Sequence, residues 1–116
     1  FRDLFPYLRA DIQRLDALAK GCSVYVWGAA TKGCLFLAHC KNNNLLIDKV
    51  QSAIDLNPHK SGKFLPGSLV QIKTKEEFLE TVKENALLIV SNPAYKDEIV
   101  AELNAAGLNQ IKIETL

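Results

Sequence analysis

Val24-Tyr25-Val26-Trp27-Gly28-Ala29-Ala30-Thr31-Lys32-Gly33, followed about twenty residues later by Asp55, decides the fold of this chain. An apolar strand runs into a tight glycine turn and then into a helix whose free backbone N–H groups can face an anion, and an acid stands at the end of the next strand. This order is that of a nucleotide-binding βαβ unit. The middle position of the usual G-x-G-x-x-G is Ala30, so the turn reads G-x-A-x-x-G, and the added methyl stands where a pyrophosphate would approach the backbone. The turn argues for the fold more strongly than for a ligand.

Working outward, Leu4, Leu8, Ile12, Leu15 and Ala19 recur every three or four residues and predict a helix that stops near Gly21. It precedes the βαβ unit and is read as a connecting helix within residues 1–22, which leaves 23–116 as the α/β domain. The order that follows is strand (about 23–28), helix (about 31–41), strand (about 50–55), short strand (about 69–72), helix (about 75–84), strand (about 86–91), helix (about 94–106) and strand (about 110–115). Alternating strands and helices imply a parallel sheet. Ala86-Leu87-Leu88-Ile89-Val90 is apolar without a break, as a central strand covered on both faces requires. The expected fold is α/β, Rossmann-like and doubly wound, with a mostly parallel five-stranded sheet preceded by an N-terminal linker helix. Local signals agree. Thr74 and Glu77 form a capping box, Asn92-Pro93 supplies a cap and a first-turn proline, and Gly107 ends the last helix. Cys34-Leu35-Phe36-Leu37-Ala38 is apolar nearly all round its helix, which places that helix deep between layers or against a partner domain.

The chain has 116 residues, 48% hydrophobic and 23% charged, enough for one domain with its own core. A formal net charge of +1, with lysines scattered rather than clustered, offers no field for nucleic acid and no basic membrane face. There is no apolar run of about 18 residues and no basic-then-apolar leader, so a cytoplasmic protein without a membrane span is expected. The first residue is Phe1 rather than Met, which reads as a piece of something longer. Cys22, Cys34 and Cys40 are odd in number and lack C-x-x-C spacing, so buried thiols are expected rather than disulfides or zinc ligands. His39 and His59 have no acidic or cysteine company at ligand spacing, and no metal site is expected.

A second motif lies between the second strand and the short strand: Asp55-Leu56-Asn57-Pro58-His59-Lys60-Ser61-Gly62-Lys63-Phe64-Leu65-Pro66-Gly67. Together with Gly28, Ala29, Lys32 and Gly33, and with Asp97-Glu98-Ile99 further on, it resembles the C-terminal domain of the S-adenosylmethionine-dependent C-methyltransferases that act on nucleotide-linked deoxysugars. The family pattern is a G-A-x-x-K-G turn, then D-x-N-P-x-K-x-G-x-x-x-P-G, then a helix opening with Asp-Glu-Ile. The resemblance spans about 24 to 100, with two separated motifs at matching spacing. One departure is present: after the fourth strand, where members commonly carry an apolar-Pro-Trp stretch, this chain has Ser91-Asn92-Pro93-Ala94-Tyr95.

The resemblance implies an enzyme in which a zinc-binding N-terminal domain and a middle methyltransferase domain precede this one, the middle domain holding S-adenosylmethionine and the reacting groups. This chain would then close one side of a sugar-nucleotide cleft, pack on those missing domains, hold no cofactor itself and be inactive alone. The residues expected at a nucleotide-sugar or phosphate site are Gly28, Ala29, Ala30, Lys32, Gly33, Asp55, Asn57, Lys60 and Gly67, with no catalytic residue among them. Two other classes stay open: a stand-alone nucleotide- or NAD-binding module, and a ligand-free interaction domain.

Each residue also has a structural reading. Gly28 and Gly33 either cradle phosphate or only permit the turn and close helix packing. Lys32 opposes the helix dipole, so it either meets a phosphate or is solvated. Asp55 either accepts from ribose hydroxyls or caps the Asn57-Pro58 turn. Lys60 and Lys63 either face a diphosphate or are loop lysines in water. Trp27 and Tyr95 read as a core aromatic and a helix-surface tyrosine, each within reach of the same end of the sheet.

Overall fold

The computed structural model describes residues 8–28, 31–44, 46–56, 58–82, 85–108 and 110–115. Five strands, β1 (Ser23–Trp27), β2 (Val50–Ile54), β3 (Ile72–Lys73), β4 (Ala86–Val90) and β5 (Lys112–Thr115), form one sheet in the order β3-β2-β1-β4-β5, every pair parallel. Four helices accompany it: α1 (Leu8–Leu18), α2 (Thr31–Asn42), α3 (Lys75–Thr81) and α4 (Lys96–Ala105). The expected doubly wound α/β architecture is therefore present.

Alternation along the strands builds two cores. Successive side chains point to opposite faces, so Val24 and Val26 of β1 and Leu87 and Ile89 of β4 join one cluster, while Tyr25, Trp27, Leu88 and Val90 join the other. On the first face lie α1, through Ile12 and Leu15, and α2, through Phe36, Leu37 and Cys40. On the second lie α3, through Phe78, and α4, through Ile99 and Leu103. Phe78 meets Tyr25 and Trp27 edge-on, with ring centroids 5.1 and 5.9 Å apart. Because both faces are covered, the central strands read as unbroken apolar runs.

The stripe of α1 is packed into the first core of this domain, with Leu15 and the following Ala19 fully buried. Polar contacts fasten the helix to β5 and to the segment that leads into β2. Arg14 pairs with Glu114 of β5 at 3.0 Å, and Asp16 accepts from the Leu46 N–H at 3.1 Å and pairs with Lys49 at 3.3 Å. The helix read as a connector is thus also a layer of the domain.

Three element bounds differ from the sequence reading. The short third strand is Ile72–Lys73 rather than about 69–72, because Leu69 has a left-handed backbone (φ 61°) and the segment before it closes a turn, with Leu65 N–H donating to Val70 O and Leu69 N–H to Leu65 O. α3 ends at Thr81, where Val82 turns extended. Residues 93–95 form a 3-10 turn capped by Asn92, whose Oδ1 accepts from Ala94 N–H at 3.0 Å, and the α-helix begins only at Lys96.

Candidate functional site

β1 and β4 lie side by side at the centre of the sheet, but the chain leaves β1 toward the first face and β4 toward the second. Their carboxyl ends border the crevice where open α/β sheets receive ligands. Gly28 follows β1 with φ +101°, a conformation that favours glycine, and its N–H donates to Ile54 O at 2.8 Å. Ser91 follows β4, and its N–H donates to Trp27 O at 3.0 Å. A Cβ on Gly28 would strike the Ser91 hydroxyl, and one on Gly33 would strike the Gly28 carbonyl oxygen. The first turn of α2 can therefore lie directly on the end of the sheet.

A cavity of about 690 Å³ opens at this edge. Its floor is made by Trp27 and Gly28 at the end of β1, Ile54, Asp55 and Leu56 at the end of β2, and Ser91 after β4. Tyr95, Glu98, Ile99 and Glu102 of the 93–105 region and Lys75 at the start of α3 make the second-face wall. Lys75 pairs with Glu102 at 3.0 Å, and this hydrogen-bonded partner raises the pKa of the ammonium. The Asp55 carboxylate, 14% exposed, pairs with Lys60 at 3.3 Å, and the Asp55 N–H donates to Lys73 O at 3.1 Å.

Of the residues expected at a site, Gly28 and Asp55 line the cavity, Gly33 stands directly behind Gly28, and Lys60 is held at Asp55. Gly67 lies elsewhere: its φ is +83° and its Cα faces Ala38 on α2, so it serves as a packed turn over the first face. Ala29, Ala30 and Asn57 lie outside the described residues, and of Lys32 only the backbone in the first turn of α2 is described. Trp27 and Tyr95 both line the cavity, Trp27 buried and Tyr95 half exposed. The sequence reading missed Ser91, Lys75, Glu98 and Glu102 as wall residues. A signal existed for Ser91, the first residue after an unbroken apolar strand, and for Glu98, inside the Asp97-Glu98-Ile99 motif.

The three thiols are free, and Cys40 is buried among the first-face residues, where loss of solvent and the nearby Asp16 push its pKa up to about 12. Among the described residues no group of three or more His, Cys, Asp or Glu side chains is placed to hold a metal ion, and no helix is long and apolar enough to cross a membrane.

Comparison with curated proteins finds no match. Among solved structures, the fold is similar to the crystal structure of RSP, a Rex-family repressor, with a TM-score of 0.56 and 12% identity over 94% of this chain. This chain spans 59% of the length of that one, and at such identity the likeness concerns the fold alone. The family model of the C-methyltransferase C-terminal domain matches residues 8–113, nearly the whole chain and α1 with it. The chain belongs to the family of C-methyltransferase C-terminal domains.

Proposed function

We propose that this chain forms one wall of the nucleotide-sugar cleft of an S-adenosylmethionine-dependent C-methyltransferase, with the methyl donor and the reacting base held by other domains of the same enzyme. The observation that carries this reading is the 690 Å³ cavity at the carboxyl ends of β1, β2 and β4. Its size suits a small-molecule ligand, and its place is the switch point of the sheet. Trp27, Ile54 and Ile99 offer apolar surface to a ring, and Asp55 offers an acceptor to hydroxyls. The phosphates are assigned to the turn from Gly28 to Gly33, including Ala29, Ala30 and Lys32, and to the loop that holds Asn57, Lys60 and Gly67. α1 is assigned the further role of joining this domain to the rest of the enzyme, and the whole is assigned to the cytoplasm.

S-adenosylmethionine supplies an electrophilic methyl group when bound. Lys75, the one ammonium among the described lining residues, is already held by Glu102, so it is not offered to the carboxylate of the donor's amino-acid end. Carbon methylation needs a base and an in-line approach of the methyl group. This chain's part is to bind and orient the acceptor and to keep water from one side of it.

Amide NMR of the chain tests the assignment. Thymidine-diphosphate compounds are expected to shift Gly28, Gly33, Gly62 and Gly67 weakly, since half a cleft retains only part of the affinity, and S-adenosylmethionine is expected to shift none. Saturable micromolar binding of the donor would overturn this division of roles. Tight binding of NAD would favour a stand-alone nucleotide-binding module, and silence toward every nucleotide a ligand-free interaction domain.

A further inference from the structure

The segment between β2 and β3 is pinned by its backbone at two points: the Asp55 N–H donates to Lys73 O at 3.1 Å and the Gly62 N–H to Ile72 O at 2.8 Å. Between those points side chains set where the chain lies. Lys60 reaches back to the Asp55 carboxylate at 3.3 Å, and the Ser61 hydroxyl reaches across to Oε1 of Glu77 on α3, donating at 2.9 Å over a sequence separation of 16 residues. Lys60 and Ser61 are neighbours in the chain, so the second contact limits where the first can go.

The helix that receives the Ser61 bond does not need it. The capping box of α3 is complete without Ser61, since the Glu77 N–H donates to Thr74 Oγ1 and the Thr74 N–H to Glu77 Oε1, each at 3.1 Å. α3 is held besides by Phe78, fully buried on the second face, and by Lys75, paired with Glu102 at 3.0 Å. Glu77 is therefore the fixed partner and the loop the dependent one. A carboxylate accepting from a hydroxyl makes a charge-assisted bond, stronger than one between neutral groups. Neither Ser61 nor Glu77 lines the cavity, whereas Asp55 does.

We propose that Ser61 and Glu77 are positioning residues: the bond between them holds the 58–61 turn in the place that keeps the Lys60 ammonium on Asp55 at the cavity floor. An ammonium has three N–H donors, so Lys60 can keep Asp55 and offer another to a phosphate. Phosphate affinity then depends on a contact that lies outside the cavity. This last consequence rests on the cleft reading above; the placement of Lys60 does not.

Two measurements on the chain test it. Without ligand, Ser61→Ala is expected to speed hydrogen exchange at the Gly62 and Lys63 amides about fivefold, while the Phe78 and Val82 amides of the α3 region keep wild-type rates. Glu77→Gln, which keeps an acceptor oxygen, is expected to leave all four amides close to wild type. Titration with thymidine diphosphate is expected to show about threefold weaker binding in Ser61→Ala, and the double variant Lys60→Ala, Ser61→Ala is expected to bind no more weakly than Lys60→Ala alone, because Ser61 acts only through Lys60. Wild-type exchange at Gly62 and Lys63 in Ser61→Ala would overturn the proposal. So would wild-type affinity in that variant where thymidine diphosphate binds the unmutated chain, or a loss of affinity that adds in full to the loss in Lys60→Ala. If exchange rises as expected while thymidine diphosphate binds nowhere, the cleft reading falls and the positioning of Lys60 survives. If thymidine diphosphate binds and neither exchange nor affinity changes in Ser61→Ala, this inference falls and the cleft reading survives.

Discussion

Gly33 and Gly28 touch backbone to backbone: the space a side chain on Gly33 would need is occupied by the Gly28 carbonyl oxygen. The same holds one layer on, where the Ser91 hydroxyl fills the space a side chain on Gly28 would need. β1, α2 and the end of β4 therefore meet with no side chain between the two glycines, and both positions demand glycine whether or not a ligand is bound.

Gly33→Val is expected to lower the melting temperature of the empty chain and to cost about 1–3 kcal/mol, since a branched side chain must push α2 off the sheet. Lys32→Ala is expected to stay within about 0.5 kcal/mol of wild type, the outcome that a lysine reserved for a phosphate rather than for the fold requires. Thermal melts of the two variants decide it. A strongly destabilising Lys32→Ala would make that lysine structural and remove its phosphate role.

The start of α3 is held by a capping box. Glu77 N–H donates to Thr74 Oγ1 at 3.1 Å, and Glu77 Oε1 accepts from Thr74 N–H at 3.1 Å and from Ser61 Oγ at 2.9 Å. Thr74→Ala is expected to cost about 1 kcal/mol in denaturant unfolding. The backbone hydrogen bond from Thr74, and then the Ser61 hydroxyl, hold the Glu77 pKa below its ordinary 4.5. Its stabilising share is therefore present above that value and is lost as pH falls through the folded pKa. Glu77→Ala should lower stability near neutrality and flatten the acid limb of the stability profile, and an unchanged acid limb would count against this bond.

Cys40 gives the opposite limb. Its thiol, shifted from 9.0 to about 12 in the folded chain, holds its proton better than in the unfolded chain. The corresponding stability is fully present below pH 9.0 and declines as pH rises from there toward about 12. Chemical denaturation across that range should show Cys40→Ala losing less stability than wild type. At pH 8 a thiol reagent is expected to modify the partly exposed Cys22 and Cys34 while Cys40 reacts only on unfolding, and rapid modification of Cys40 in the native chain would contradict its burial.

On the cleft reading proposed above, Lys32→Ala or Lys60→Ala in the whole enzyme is expected to raise KM for the nucleotide sugar and to leave the affinity for the methyl donor unaltered. A phosphate contact remote from the reacting carbon contributes mainly uniform binding, which appears in KM rather than kcat. Steady-state kinetics check this, and unchanged KM in both variants would remove the two lysines from the phosphate side.

Much of the architecture is written in local pattern. Apolar residues on both parities of β1 and β4 announce a sheet covered on two faces, and Thr74, Glu77, Asn92 and Gly107 mark helix ends through chemistry confined to a few neighbouring residues. The third strand is harder to read, because Leu69 adopts a left-handed backbone in a turn whose flanking Leu65 and Val70 are buried by the rest of the fold. The packing of α1 on this domain's own sheet was hidden for a similar reason. A helical stripe states that a face is covered, but not that the cover is this domain's own sheet.

The sequence by itself determined the βαβ order, the glycine turn, the acid after β2 and the family resemblance, since each depends on residues close together in the chain or on motif spacing. Only the tertiary structure decided which of the expected residues share a cavity. Gly28, Asp55 and Ser91 each follow a different strand and meet because parallel pairing aligns the carboxyl ends of those strands, while Gly67, part of the same sequence motif as Asp55, is carried away from the cavity to pack against Ala38 of α2.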